Sequence, residues 1–188
     1  MAAMTYCLAI KVNDGLVFAA DSRTNAGVDY VSTYRKMYVF GVPGERLIVL
    51  LASGNLATTQ AVINTIQRDL DDPSARENLN GFHYLFDAAH YVGQISRRVQ
   101  AEHRDSLQEH GIGVEASFVL GGQIHGRDPN LYLIYPQGNY ISTSTETPYL
   151  QVGETKYGKP ILDRIIRPET SLEDAARCAL VSIASTMR

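Results

Sequence analysis

Arg46–Ser53 reads Arg-Leu-Ile-Val-Leu-Leu-Ala-Ser, with six apolar residues in succession from Leu47 to Ala52. A strand with one wet face alternates apolar with polar, so an unbroken run describes a strand covered on both faces. The run is far too short to span a bilayer, which takes about 20 apolar residues in a helix. The rest of the chain must therefore supply a layer of structure to each side of this strand.

Two strands at the amino end form a pair. Thr5–Val12 is followed by Asn13-Asp14-Gly15 and then by Leu16–Asp21. Asp-Gly between apolar stretches signals a hairpin, because such a turn needs positive φ. Further strand patterns cover Val114–Gly121, Asn130–Tyr135, Asn139–Ser142 and Tyr149–Val152.

Helical periodicity fills the gaps between them. Thr59, Val62, Ile63, Ile66 and Leu70 recur on one face before Pro73. Leu85, Ala88, Val92, Ile95 and Val99 step by three and four along Phe82–His103, a pattern broken around Gly111–Gly113. This second stripe packs on the sheet. Near the carboxyl end, Pro160 suits a first helical turn and Thr170-Ser171-Leu172-Glu173 reads as a capping box. The helix it opens would bury Leu172, Ala176, Ala179, Leu180 and Ile183. Strands, two helices, strands, two helices, with hairpin connections and one strand buried on both faces, predict an α+β fold. Its form is a four-layer αββα sandwich of two mainly antiparallel sheets.

Composition narrows the function classes. A chain of 188 residues with 45% hydrophobic and 20% charged content suits one soluble domain with a sizeable core. A net charge of −3 argues against a nucleic-acid surface or an anionic membrane as partner. No basic n-region or apolar h-region marks the amino end for export. Cys7 and Cys178 are far apart and match no metal spacing, which reads as reduced core cysteines in a cytoplasmic protein.

Chemistry concentrates in Thr5, Asp21 and Lys36. A threonine hydroxyl needs a base beside it, and a first-residue threonine carries its own α-amine, whose pKa is ordinarily about 7.7–8.0. A lysine beside that amine would keep it neutral and stabilise negative charge on the oxygen, and an aspartate would hold the lysine charged and oriented. Thr5 starts one strand and Asp21 ends its antiparallel neighbour, so the hairpin sets both at one end of the sheet. Ala52-Ser53-Gly54-Asn55 lies at a strand–helix junction, where a glycine and helix-start N–H groups can hold an oxyanion.

Thr5, "GLVFAADSRTNAG", Lys36 and "LASGNLAT", in that order and spacing, resemble the proteasome β-subunit family of N-terminal-nucleophile hydrolases. "MTYCLAIKV", "DSRTNAGVDYVSTYRKM" and "GETKYGKPILDR" resemble the bacterial ancestral β-subunit branch, Anbu. The resemblance covers almost the whole chain and implies the αββα sandwich already read from the pattern. It implies Thr5 as nucleophile, Asp21 as the partner of Lys36, and Gly54 N–H in the oxyanion hole. Arg23 and Asn25 fall on the stretch that borders the substrate strand. Gly153 matches a glycine opening a family helix, and Glu154 stands where relatives usually carry a serine that bonds the terminal amine. A carboxylate there is a possible support, since it could hold an ammonium. The resemblance further implies a homo-oligomer, as a ring or a helical turn, acting on a peptide or amide substrate, with the Leu85–Val99 stripe additionally facing a neighbouring subunit. It implies no metal or organic cofactor, and an unfolding ATPase as partner by analogy only.

Met1–Met4 reads as a leader, start or remnant before a single domain over 5–188. Removal of Met4 as an initiator methionine would expose Thr5. Relatives continue through further strands with a supporting aspartate and serine, so the resemblance implies a tail that these residues lack. His83, His90, His103 and His110 lack the i,i+4 spacing of a helical zinc site. Ser117 and the run Ser142–Thr145 lack a nucleophile elbow. The sequence thus points to a threonine-type peptidase or amidase. Two alternatives stand beside it: a non-catalytic ring or scaffold subunit, and an amidase of the same class acting on small amides.

Overall fold

The computed structural model describes residues 5–25, 31–108 and 111–187; Met1–Met4 and His110 lie outside them. Side-chain alternation along two strands generates the architecture. On β1 (Tyr6–Val12), Tyr6, Leu8, Ile10 and Val12 face one way, and Cys7 and Ala9 face the other. On β6 (Arg46–Gly54), Ile48, Leu50 and Ala52 oppose Val49 and Leu51. Cys7, Ala9, Val49 and Leu51 meet in one cluster with Val119, Leu131, Leu150 and Val152, which is the layer between two sheets. The outward faces of the same strands build two more apolar layers, each under helices.

The larger sheet has the order β5 (Met37–Val42), β6, β7 (Ala116–Ile124), β8 (Asn130–Ile134), β9 (Tyr140–Ser142), antiparallel throughout. Against its outer face lie α1 (Leu56–Asp71) and α2 (Leu85–Gln108). The smaller sheet has the antiparallel order β10 (Tyr149–Gly153), β1, β2 (Gly15–Ala20) and carries α3 (Lys159–Ile165) and α4 (Leu172–Thr186). A two-stranded ribbon, β3 (Arg23–Asn25) with β4 (Val31–Thr33), stands beside the two main sheets. The αββα sandwich is therefore the observed fold.

Several local readings shift. Val12 pairs with Gly15, so Asn13-Asp14 makes the turn and the glycine opens β2. The buried run of β6 is Ile48–Ala52, since Leu47 is 54% exposed. Leu85, Ala88, Val92, Ile95 and Val99 are all buried in this chain's own core, so that stripe is not left for a neighbouring subunit. The capping interaction of α4 moves by one residue: Ser171 accepts from Asp174 N at 3.1 Å, and Thr170 Oγ1 closes the preceding turn by accepting from Arg167 N. The buried face of α4 turns with it, to Ala175, Cys178, Ala179, Ser182 and Thr186, leaving Leu180 66% exposed. Small residues face inward because Tyr6 projects from β1 into that layer, and its hydroxyl pairs with Ser182 Oγ at 2.7 Å.

Candidate active site

One end of the sandwich gathers the chemistry. β1 begins one residue after Thr5 and β2 ends one residue before Asp21, so the hairpin sets both at the same edge. The backbone locks them together. Asp21 N donates to Tyr6 O at 3.1 Å, and the Asp21 carboxylate accepts from Tyr6 N. Lys36 arrives from the other sheet, just ahead of β5. Its carbonyl accepts from Ala52 N at 2.9 Å, which ties it to the end of β6.

Lys36 Nζ makes a salt bridge with Asp21 Oδ1, and the two side chains are only 7% and 2% exposed. The same Nζ donates to Thr5 Oγ1 at 3.1 Å. A desolvated cation is thus held against the threonine oxygen by a carboxylate that is itself fixed to the backbone of the next residue. In a buried setting such a charge acts more strongly on a developing oxyanion than it would in water.

Cys7 sits beneath this pair. Its thiol lies 3.7 Å from Ala52 O and is fully buried. Burial pushes its pKa up to about 12; the Asp21 carboxylate adds to the rise and Lys36 opposes it. The thiolate is therefore suppressed at neutral pH, and Cys7 works as a small apolar residue in the inter-sheet layer. In the folded protein at pH 8, iodoacetamide is expected to alkylate Cys7 at least about a hundredfold more slowly than in 6 M guanidinium chloride, measured by peptide mass mapping.

Two glycines permit close backbone approach at this end of the sandwich, Gly54 to Glu115 and Gly153 to Thr5. β6 ends at Gly54, with φ +116°, and a Cβ there would lie 2.3 Å from Glu115 O. The next residue, Asn55, caps α1 by accepting from Thr58 N at 3.0 Å, so the strand–glycine–helix junction read from the sequence is present. On the other side, Gly153 pairs with Tyr6 at φ +91°, and a Cβ would come within 1.8 Å of Thr5 O. That carbonyl accepts from Glu154 N at 2.8 Å. It is the backbone of Glu154 that touches Thr5; its carboxylate accepts from Lys156 N at 3.2 Å.

Arg23 and Asn25 fall on β3, which starts two residues after Asp21; their side chains lie outside the described residues. Sequence reasoning did not single out a cavity of 310 Å³ beside the site, whose walls include Gly54, Gly153, Ser117, Leu133 and Tyr135. No linear signal marks it, because its walls come from four strands. Among the described residues, no helix is long and apolar enough to cross a membrane.

Two facing antiparallel sheets between helix pairs, with a threonine, a buried Lys–Asp pair and a strand–glycine–helix junction at one end, are features of a proteasome-type subunit. The chain belongs to the proteasome family, whose "Proteasome subunit" model matches residues 3–188. Within that family it is similar to Anbu, the ancestral β-subunit. Anbu from Yersinia bercovieri is 48% identical with a TM-score of 0.89, over 97% of this chain and 75% of that one. The helical assembly of the Anbu complex from Pseudomonas aeruginosa is 51% identical with a TM-score of 0.90, at the same coverages. Anbu from Hyphomicrobium sp. strain MC1 is 43% identical with a TM-score of 0.85, again over 97% and 75%. No curated protein matches the chain.

Proposed function

We propose that this protein is a cytoplasmic N-terminal threonine hydrolase of peptide or amide bonds, working as a homo-oligomer with residues 5–188 as a single domain. The observation that carries the reading is the 3.1 Å contact between Lys36 Nζ and Thr5 Oγ1, made by a lysine already paired with buried Asp21. In this reading, removal of Met1–Met4 gives Thr5 a free α-amine. The amine takes the hydroxyl proton as Oγ1 attacks the substrate carbonyl, and Gly54 N–H with the Lys36 cation stabilises the oxyanion. The amide C–N bond then breaks, the proton passes to the departing nitrogen, and an ester to Thr5 remains. Water, deprotonated by the same amine, hydrolyses that ester.

Arg23 and Asn25 border the acyl side of the substrate on β3, where an extended peptide would add to the strand edge. Glu154 supports Thr5 through its N–H. The helical assembly of the Pseudomonas relative supports a homo-oligomer here, as a ring or helical turn.

The test starts from intact mass, which identifies preparations that begin at Thr5. Such protein, treated with a peptide vinyl sulfone, is expected to gain one adduct per chain, mapped to Thr5 by fragmentation and absent from Thr5→Ala. A chain that begins at Thr5 and takes no adduct overturns the hydrolase reading and leaves a scaffold subunit.

A further inference from the structure

Strand order sets two different flanks around Thr5. In the smaller sheet β1 lies between β2, which leads to Asp21, and β10, which ends at Gly153. In the larger sheet β5 follows Lys36, and β6, β7 and β8 succeed it in order. The Lys36–Asp21 pair therefore occupies the β2–β5 flank. The 310 Å³ cavity occupies the opposite flank, walled by the ends of β6, β7, β8 and β10. Gly54, the oxyanion glycine of the proposed mechanism, and Gly153, which packs on Thr5 O, are part of its wall.

We infer that this cavity is the subsite for the leaving-group side of the substrate, and that it takes an uncharged aliphatic or aromatic side chain on the residue after the scissile bond. The inference rests on the hydrolase reading and gives it a substrate class. β3 begins two residues past Asp21, and in the proposed mechanism Arg23 and Asn25 border the acyl segment, which sets that segment on the charged flank. The group beyond the cleaved bond then points to the other flank, where the cavity lies. Its size sits at the lower end of ligand pockets, about 300–1,000 Å³, enough for one side chain.

Leu133 and Val152 supply apolar wall from the layer between the sheets, Tyr135 adds an aromatic face, and Ser117 adds a small residue opposite Ser53. Among the described residues, Glu115 is the only charged one that lines it. An acidic side chain there would face a like charge and, among the described lining residues, meet no cation.

The step balances as ordinary acyl transfer. The Thr5 Oγ1–carbon bond forms, the C–N bond breaks, and the nitrogen leaves with the hydroxyl proton on the amine of the cavity-bound residue. The subsite is vacated before water enters, so its occupancy governs acylation alone.

The experiment uses protein shown by mass to begin at Thr5, and internally quenched peptides with one fixed acyl segment that differ only in leucine or glutamate after the scissile bond. The kcat/KM ratio of leucine to glutamate is expected to reach at least about thirtyfold, within the range an apolar pocket gives. Ser117→Leu, which fills the cavity, is expected to bring the ratio below about threefold. Tyr135→Ala, which enlarges it, is expected to shift preference from leucine to phenylalanine. A ratio within each preparation is unaffected by a partly folded sample, and the second variant stands if the first does not fold. Equal rates for leucine and glutamate in protein that accepts the vinyl sulfone on Thr5 would overturn the subsite and leave the hydrolase reading intact. Absence of both adduct and cleavage would remove the two together.

Discussion

Lys36→Met is expected to lower kcat/KM at least about a thousandfold in protein that begins at Thr5, with most of the loss in kcat. Methionine keeps the length and apolar stem of lysine and removes its charge, so the backbone bond from Ala52 N to the carbonyl of residue 36 is retained while the contact to Thr5 Oγ1 is lost. That contact is to the attacking atom and not to a distant part of a substrate, which is why KM should move little. Lys36→Arg is expected to recover less than about a tenth of the lost activity. The Lys36 side chain is 7% exposed and sets one compact ammonium against both Asp21 and Thr5, a point contact that a planar guanidinium does not reproduce. Turnover of a fluorogenic peptide, read beside the rate of vinyl sulfone adduct formation, checks both. A Lys36→Met enzyme within tenfold of the parent would show that the lysine does not act on the nucleophile.

The fold is readable wherever one period runs long enough to dominate. Ile48–Ala52 and the α2 stripe are long, and both lie in the core. Sequence reasoning leaves out β5, although Met37–Val42 carries apolar residues and the following Pro43-Gly44 marks a turn; Glu45 N closes that turn on Val42 O at 3.0 Å. Half of its face is open, with Val39 50% exposed, so the alternation there does not track burial cleanly. β3 and β4 have three residues each, too few for any period. The face of α4 departs from expectation for a different reason. Its leucines look like a core stripe, whereas the inward positions need small residues to make room for Tyr6, a tertiary demand invisible in the helix itself.

At the site, the hairpin suffices to set Thr5 beside Asp21, because antiparallel register carries the beginning of one strand to the end of its neighbour. The arrival of Lys36 depends on how one sheet stacks on the other, and no local pattern encodes that. Gly54 is legible as a junction glycine; the reason it must be glycine, the Glu115 carbonyl 2.3 Å from where its Cβ would stand, requires the β6–β7 pairing. The role of Glu154 changes in kind. Residue identity draws attention to its carboxylate, while the geometry puts its N–H on Thr5.

Asp21→Ala is expected to destabilise the chain by about 3–5 kcal/mol, the range for removing one member of a buried ion pair. The carboxylate accepts from both Lys36 Nζ and Tyr6 N, so its loss weakens the anchoring of two buried groups at once. In a chain of this size that corresponds to a midpoint lowered by roughly 6–20 °C, and equilibrium urea unfolding gives the free energy directly. The informative comparison is Asp21→Leu with Lys36→Met. If desolvation of the two charges nearly cancels their attraction, the double variant should be less destabilised than the sum of the singles by about 1–3 kcal/mol. Additive costs would mean that the pair does not act as a unit, and would remove the argument that Asp21 fixes Lys36 for chemistry. Near-neutral stability of the double variant, with turnover gone, would carry the opposite meaning: an apolar pair could fill the space, and the charges are retained for what they do to the oxygen of Thr5.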